Sequence, residues 1–333
     1  MRIGLAGLGR IGSFHARTLS ELPQVESLVL TDVMPGLASQ VAGTLGVEAA
    51  DTFADMLGRD VDGVVIATAT DSHPELLVAA VEAGLPAFCE KPIARSGHEG
   101  AEVARRVEGA GVEVQIGYPR RFDAGFAAAR AAVDSGELGW LHTVRSTTLD
   151  PAPPPSAYVA VSGGIFRDCS VHDFDAVRWV TGREVVEVYA TGSNRGDPVF
   201  TEVGDVDSAS SVLTLDDGTL VVVSNSRYNA RGYDVRMEVH GSRDSIAVGL
   251  EDRLPLRSVE PGVTFPSSTP HTFFMDRFGS AFRAELAAFT EVVAKARRSP
   301  CTIADALEAS WIAEACTLSW QEHRAVQMAE IRP

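Results

Sequence analysis

The sequence predicts an α/β domain on a doubly wound parallel sheet, followed by an α+β domain whose strands form an antiparallel sheet. Three observations carry this reading. The chain opens with a strand, a glycine turn and a helix between Ile3 and Leu19. Strands and helices then alternate as far as Ile116, the pattern of a parallel sheet with crossover helices. From Trp140 onward strands follow strands, which suits antiparallel pairing.

At 333 residues the chain is long for one core and comfortable for two domains. Its 45% hydrophobic and 22% charged content is that of an ordinary globular protein. A net charge of −16 argues against nucleic-acid or anionic-membrane partners. No stretch is long and apolar enough to span a bilayer, and a strand and glycine loop begin at once where a signal peptide would lie. A cytoplasmic address is therefore expected. Cys89, Cys169, Cys301 and Cys316 are scattered, with no C-x-x-C and no zinc-ligand spacing. They read as reduced, buried thiols, and no metal is expected.

Taken in order, Ile3 to Ala6 is a short apolar strand, and Gly7, Gly9 and Gly12 form G-x-G-x-x-G before a helix. Gly7 allows the tight turn, Gly9 lets a pyrophosphate approach the backbone, and Gly12 lets the helix pack close to the strand. Ser13 to Leu19 reads as the helix, and its N-terminus offers N–H groups and partial positive charge to phosphates. A glycine turn with no ligand is the alternative. Val25 to Leu30 is a second strand, ending at Thr31-Asp32. Asp32 lies about 20 residues past the loop, where a carboxylate accepts hydrogen bonds from the adenosine ribose. No Arg or Lys follows it closely to neutralise a 2′-phosphate, so NAD is expected rather than NADP. The alternative is a strand-end carboxylate capping the next helix. Gly63 to Thr68 is an apolar, β-branched run suited to a strand buried on both faces. Pro74 begins the helix that follows, Pro86 to Cys89 is the next strand, and Val112 to Ile116 the one after. In such sheets ligands bind at the carboxyl ends of the strands, which places Thr68, Thr70 and the segment after Cys89 beside a cofactor. Lys91, between Glu90 and Pro92, then stands near the expected nicotinamide and could handle a proton. His73 could touch the ribose or the nicotinamide amide. His15 reads as a helix residue, and His98 as a surface residue.

G-L-G-R-I-G at the start, E-K-P at Glu90 to Pro92 and G-Y-P-R-R-F-D at Gly117 to Asp123 together resemble the glucose–fructose oxidoreductase, inositol dehydrogenase and rhizopine catabolism (Gfo/Idh/MocA) family. Order and spacing match, and the resemblance continues to the C-terminus. It implies a Rossmann domain at residues 1–118 that binds NAD through Gly7, Gly9, Arg10, Ile11, Gly12, Asp32, Thr68, Thr70, His73, Glu90 and Lys91. It also implies a domain at 119–333 for substrate binding and oligomerisation, with a large open, mostly antiparallel sheet. An open sheet has an apolar face that must be buried somewhere, and a homotetramer is expected.

The second half supports this on its own residues. Phe126 to Ser135 is an amphipathic helix, Asp150 to Pro155 must be a loop because of its prolines, and Asp216-Asp217-Gly218 joins a hairpin. Residues Arg253 to Thr269 read as an exposed excursion, and Phe274 to Ala296 and Thr302 to Trp320 as the last helices. If the chain is helical from Asp168 onward, Asp168, His172 and Asp175 share one face. A carboxylate beside an imidazole fixes its tautomer and raises its basicity. Oxidising a secondary alcohol needs a base for the hydroxyl proton, since the hydride goes to the cofactor. His172 suits that base, Lys91 would stabilise the developing negative charge, and Asp168 would orient both. Lys91, Asp168 and His172 also occupy the positions of the family's lysine and its Asp-x-x-x-His pair. The alternative is a satisfied helix histidine with Asp168 as its cap. By the same resemblance Arg120, Asp150, Asp175 and Tyr233 would bind a polyol together with those three residues. The implied activity is NAD-dependent oxidation of a cyclitol or sugar, in the manner of myo-inositol 2-dehydrogenase. A glycoside hydrolase using NAD transiently, and a silent NAD-binding sensor, are the alternatives. The proline-rich loop after Asp150 and Thr70 in place of Asn or Ser are departures from the family pattern.

Overall fold

The computed structural model describes residues 1–332, which divide into two compact units. The first comprises Met1–Pro119 with Ser280–Leu307, the second Arg120–Gly279 with the chain from Glu308 onward.

In the first unit six strands form one parallel sheet: β1 (Arg2–Ala6), β2 (Ser27–Thr31), β3 (Glu48–Ala49), β4 (Gly63–Ile66), β5 (Ala87–Glu90) and β6 (Val114–Gly117). Their order is β3-β2-β1-β4-β5-β6, so the direction of winding reverses between β1 and β4. That reversal opens a crevice at the carboxyl ends of β1 and β4. Continuous apolar runs sit where both faces are covered: Ile3, Leu5, Val64, Val65, Ile66, Phe88 and Ile116 are fully buried. One layer of the core packs Ile3, Leu5, Leu28, Leu30 and Phe88 with Leu286, Phe289 and Val292. The last three come from the helix Phe274–Val293, whose backbone is non-helical at Phe278. Residues 280–307 thus belong to the first unit although they follow the second in sequence.

The second unit is built on seven strands: β7 (Leu141–Leu149), β8 (Val185–Ser193), β9 (Ser208–Leu215), β10 (Leu220–Ser226), β11 (Asp234–Gly241), β12 (Ser245–Val248) and β13 (Val326–Gln327). Their order is β12-β11-β7-β10-β9-β8-β13. Every adjacent pair is antiparallel except β7 with β10, which run parallel in the register Leu149↔Ser226. The hairpin between β9 and β10 turns at Gly218, whose φ of 88° suits glycine.

The two faces of this sheet differ. Val221, Val223, Leu213 and Val188 are wholly buried, on the face that takes up the apolar side of the pleat. On the opposite face Tyr189, Val212 and Val222 are in register across three strands and remain 39–45% exposed. Alternation of period two produces this division directly. The excursion at 253–269 has no regular structure, with Leu256, Val259 and Val263 exposed. Among the described residues no helix is long and apolar enough to cross a membrane.

Two buried ion pairs fasten the segment that begins the second unit to the helix Val171–Thr181. Arg120 Nη1 donates to Asp173 Oδ1 at 2.7 Å, and Arg121 grips Asp175 through Nε and Nη2 at 2.6–3.2 Å. Asp173 and Asp175 have no exposed surface. Removing one partner strands a charge in the core. Asp175→Ala should therefore lower the unfolding free energy by about 3–5 kcal/mol, while Asp175→Leu combined with Arg121→Met should lose much less. All four tryptophans, Trp140, Trp179, Trp311 and Trp320, lie in this unit, so denaturation followed by their fluorescence measures the difference.

Candidate active site

Strand β1 delivers the chain to Gly7, whose φ of 91° is left-handed. A Cβ there would stand 2.6 Å from the Ala67 carbonyl oxygen, and one at Gly12 would stand 1.9 Å from that of Gly7. Both glycines are thus required by the way the turns after β1 and β4 pack. Gly9 is different: its Cβ would meet nothing within 4 Å. It precedes the helix Arg10–Ser20, which no side chain caps. An open backbone beside an uncapped helix start fits a pyrophosphate. Arg10 is exposed and Ile11 half-buried in the first turn.

Asp32 follows β2 and is bound to this loop. Its Oδ2 accepts from the Leu8 amide at 2.6 Å and its Oδ1 from the Met34 amide at 2.7 Å. Each oxygen keeps a lone pair for a ribose hydroxyl. The side chain therefore fixes the glycine loop as well as offering itself to the ribose. Val33 and Met34 beside it are exposed.

Five more sequence-predicted residues lie at the ends of β4 and β5 or in the turns after them. Thr68 follows β4, is half-buried, and its Oγ1 accepts from Ser72 Oγ at 2.8 Å. Thr70 begins the 3-10 turn Thr70–Ser72. His73 is buried, with Nδ1 2.7 Å from the Pro92 carbonyl oxygen and Nε2 3.1 Å from that of Thr68. Both ring nitrogens face the backbone, so His73 clamps the turn after β4 to the turn after β5. Lys91 lies in that second turn, half-buried, between Glu90 and Pro92. The Glu90 carboxylate reaches inward: its Oε1 lies 2.5 Å from Nε2 of His15, which is completely buried. His15 meets Phe88 and Phe282 edge-on. Sequence reading placed His15 only on its helix. The available signal was its position three residues after Gly12, on the face that packs against the sheet.

In the second unit the parallel pair places Asp150 and Arg227 side by side, each just after its strand. The Asp150 amide donates to the Ser226 carbonyl at 2.8 Å. Gly163 and Gly164, with φ of 81° and 89°, then turn the chain into a single π turn, Phe166–Ser170. The α-helix proper begins only at Val171, so the one-face arrangement of Asp168, His172 and Asp175 is not that of a continuous α-helix. Asp168 lies in the wider turn. Its Oδ1 accepts from the Tyr158 hydroxyl at 2.8 Å and its Oδ2 from Arg227 Nη2 at 2.7 Å. Arg227 Nη1 donates to Asp150 Oδ2 at 3.0 Å. Burial alone would lower the Arg227 pKa, but Asp168, Cys169 and Asp150 outweigh it and hold it above the ordinary arginine value. Arg227 escaped the sequence reading because nothing local marks it. His172 is half-buried in the first turn of the helix.

The other expected polyol ligands lie deeper. Arg120 is spent on Asp173 and on Thr148 Oγ1, both at 2.7 Å. Asp173 also accepts from Ser146, Thr148 and Asn225. Asp175 is enclosed with Arg121. Tyr233 is buried edge-on to Phe278, and burial pushes its hydroxyl pKa well up. Burial does the same to the Cys169 thiol, which keeps it protonated and unreactive. Among the described residues no cluster of His, Cys, Asp and Glu could hold a metal.

Comparison with known proteins gives the family of both halves of the chain. Residues 1–118 match the family model described as an oxidoreductase family with an NAD-binding Rossmann fold, and residues 126–247 match that of the GFO/IDH/MocA C-terminal domain. The chain is 36% identical to the inositol 2-dehydrogenase of Rhizobium meliloti over 330 residues, 99% of each chain. A myo-inositol dehydrogenase structure from Corynebacterium glutamicum superposes with a TM-score of 0.91 at 35% identity, covering 100% of this chain and 99% of that one. A scyllo-inositol dehydrogenase from Lactobacillus casei, solved with NAD(H) and scyllo-inositol, does so with a TM-score of 0.89 at 29% identity, covering 99% of each.

The glycines make separable predictions. Gly9→Ala should leave the melting temperature within about 2 °C, since its Cβ enters open space, yet weaken NAD binding at least tenfold by calorimetry. Gly12→Ala should instead lower the melting temperature clearly, because its Cβ overlaps the Gly7 carbonyl.

Proposed function

This chain belongs to the GFO/IDH/MocA oxidoreductase family, and from that premise we propose that it oxidises a ring secondary hydroxyl of an inositol, with myo-inositol at C2 the most specific assignment. Its first unit is an NAD-binding Rossmann domain, and the protein is an NAD-dependent oxidoreductase. NAD, when bound, supplies the hydride acceptor. Gly9 and the helix start would receive its pyrophosphate and Asp32 its adenosine ribose.

The observation that carries the reading is the fixed carboxylate of Asp168, held on both oxygens four residues before His172. His172 acts as the base that removes the substrate hydroxyl proton, and the carboxylate favours the imidazolium that results. Lys91 is the cation that stabilises negative charge as the carbonyl forms. Asp150, at the mouth of the proline-rich loop, offers an acceptor to a neighbouring hydroxyl. The half-exposed Tyr158 beside Asp168 offers a second polar group. A ring bearing many hydroxyls is matched by such donors and acceptors better than by apolar walls.

The test is NADH formation with a panel of inositols, pyranoses and sugar acids, each with NAD and NADP. The reading expects turnover with an inositol and NAD. Lys91→Met should cut kcat by about 10²–10³-fold, and His172→Ala by about 10²–10⁴-fold with NAD affinity unchanged. Full turnover in either variant would remove that residue from the chemistry. Release of a leaving group without net NADH would favour a glycoside hydrolase instead.

We also propose a homotetramer in which the sheet face bearing Tyr189, Val212 and Val222 is covered by a second copy. Val212→Glu should yield a smaller species by sedimentation. An unchanged sedimentation coefficient would exclude that face as the interface.

A further inference from the structure

We propose that Arg227 is a positioning residue of the hydride-transfer site: its guanidinium holds the substrate-loop carboxylate of Asp150 and the helix-start carboxylate of Asp168 in one arrangement, so that seating a polyol on the first orients the second. This rests on the dehydrogenase reading of the site.

The geometry separates Arg227 from the other buried arginines of its unit. Arg120 serves Asp173 and Arg121 serves Asp175, one carboxylate each. Arg227 serves two, through Nη1 and Nη2, with only 5% of its side chain exposed. Its Nε is buried with no hydrogen-bond partner. An unsatisfied buried donor is costly, and Arg227 does not close bidentately on a single carboxylate as Arg121 does on Asp175. Here the fork is split between two chain segments that are 18 residues apart, one entering the proline-rich loop and one in the π turn. The pair of carboxylates remains in reach of solvent, at 23% for Asp150 and 12% for Asp168. Structural aspartates of this unit, such as Asp173 and Asp175, have no such access.

The charge balance has a direct consequence. One cation between two carboxylates leaves a net charge of −1 on a trio whose Asp168 lies four residues before His172 in the chain, and negative charge favours the imidazolium formed when the base takes its proton. Other titratable groups around the trio are Tyr158, Cys169 and Asp205; burial holds Cys169 neutral and shifts the Asp205 pKa upward. Without the guanidinium, two partly buried carboxylates would face each other and one would take up a proton at a higher pH than in the wild type.

The experiment uses the full-length protein and three variants: Arg227→Ala, Arg227→Lys and Arg227→Ala with Asp150→Asn. NADH formation is followed against pH with the best inositol, and the aspartate carboxyls are titrated by ¹³C NMR without substrate. Arg227→Ala should lose about 100-fold or more in kcat/KM, keep its NAD affinity and show an acid limb at least one pH unit higher. Guanidinium ion at tens of millimolar should restore about tenfold, and sodium or urea should not. Arg227→Lys should be intermediate, because an ammonium is a point charge without the fork. Asp150→Asn in the Arg227→Ala background should move the acid limb back. Retention of kcat/KM within twofold in Arg227→Ala, or equal rescue by sodium, would overturn the proposal. If the wild type reduces NAD with no polyol, the dehydrogenase reading fails, while the carboxyl titration still decides the role of Arg227: an unaltered titration in Arg227→Ala rules out its holding of the two carboxylates.

Discussion

The parallel pairing of β7 with β10 is the constraint on which the chemistry of the second unit depends. In a wholly antiparallel sheet, neighbouring strands end at opposite edges. Here two neighbours end at the same edge, so the residues that follow them, Asp150 and Arg227, meet. The π turn brings Asp168 to the same guanidinium. Left-handed φ values at Gly163 and Gly164 allow that approach, and a Cβ on Gly164 would crowd the Asp205 carboxylate at 3.1 Å. A sheet connection, a glycine pair and one arginine together set where Asp168 points.

The first unit solves a simpler problem with backbone. Its strand order creates a crevice, and its glycines let backbone rather than side chain line it. Side chains then act as fasteners between turns. Asp32 ties the end of β2 to the glycine loop, and His73 ties the turn after β4 to that after β5. His15 anchors Glu90, the residue before Lys91. Each of these side chains is polar, buried or half-buried, and bonded to a segment distant in sequence. This is what a loop-built site needs to be held ready before a ligand arrives.

Much of this was legible in the residues alone. Local signals marked Gly7, Gly9, Gly12 and Asp32, since a tight turn, a close approach and a strand-end carboxylate are properties of short segments. Apolar runs and periodicity marked the two long C-terminal helices and the strands other than the two-residue β3 and β13, which are too short to leave a pattern. What stayed hidden depends on tertiary pairing. Nothing in β7 or β10 as sequences declares their parallel register. The π turn at Phe166–Ser170 has no distinct composition, so Asp168, His172 and Asp175 read as one helical face. The pairing of Arg227 with carboxylates 59 and 77 positions away cannot be inferred from spacing. Arg120, Arg121 and Arg227 look alike on paper. Only the fold distinguishes two that seal the core from one that bridges an accessible pair.

That distinction bears on how a single unit can be both stable and reactive. Arg120 with Asp173 and Arg121 with Asp175 are neutral pairs, enclosed and hydrogen-bonded, and they specify how the helix Val171–Thr181 meets the sheet. Neutral pairs do little to the protonation of a distant group, because their fields largely cancel. The trio of Asp150, Arg227 and Asp168 does not cancel. Its surplus negative charge lies at partly exposed carboxylates, and the chain continues from Asp168 into the turn that carries His172. In the proposed mechanism the imbalance of this trio acts on the group that accepts the proton, while the enclosed pairs stay balanced where the fold must hold.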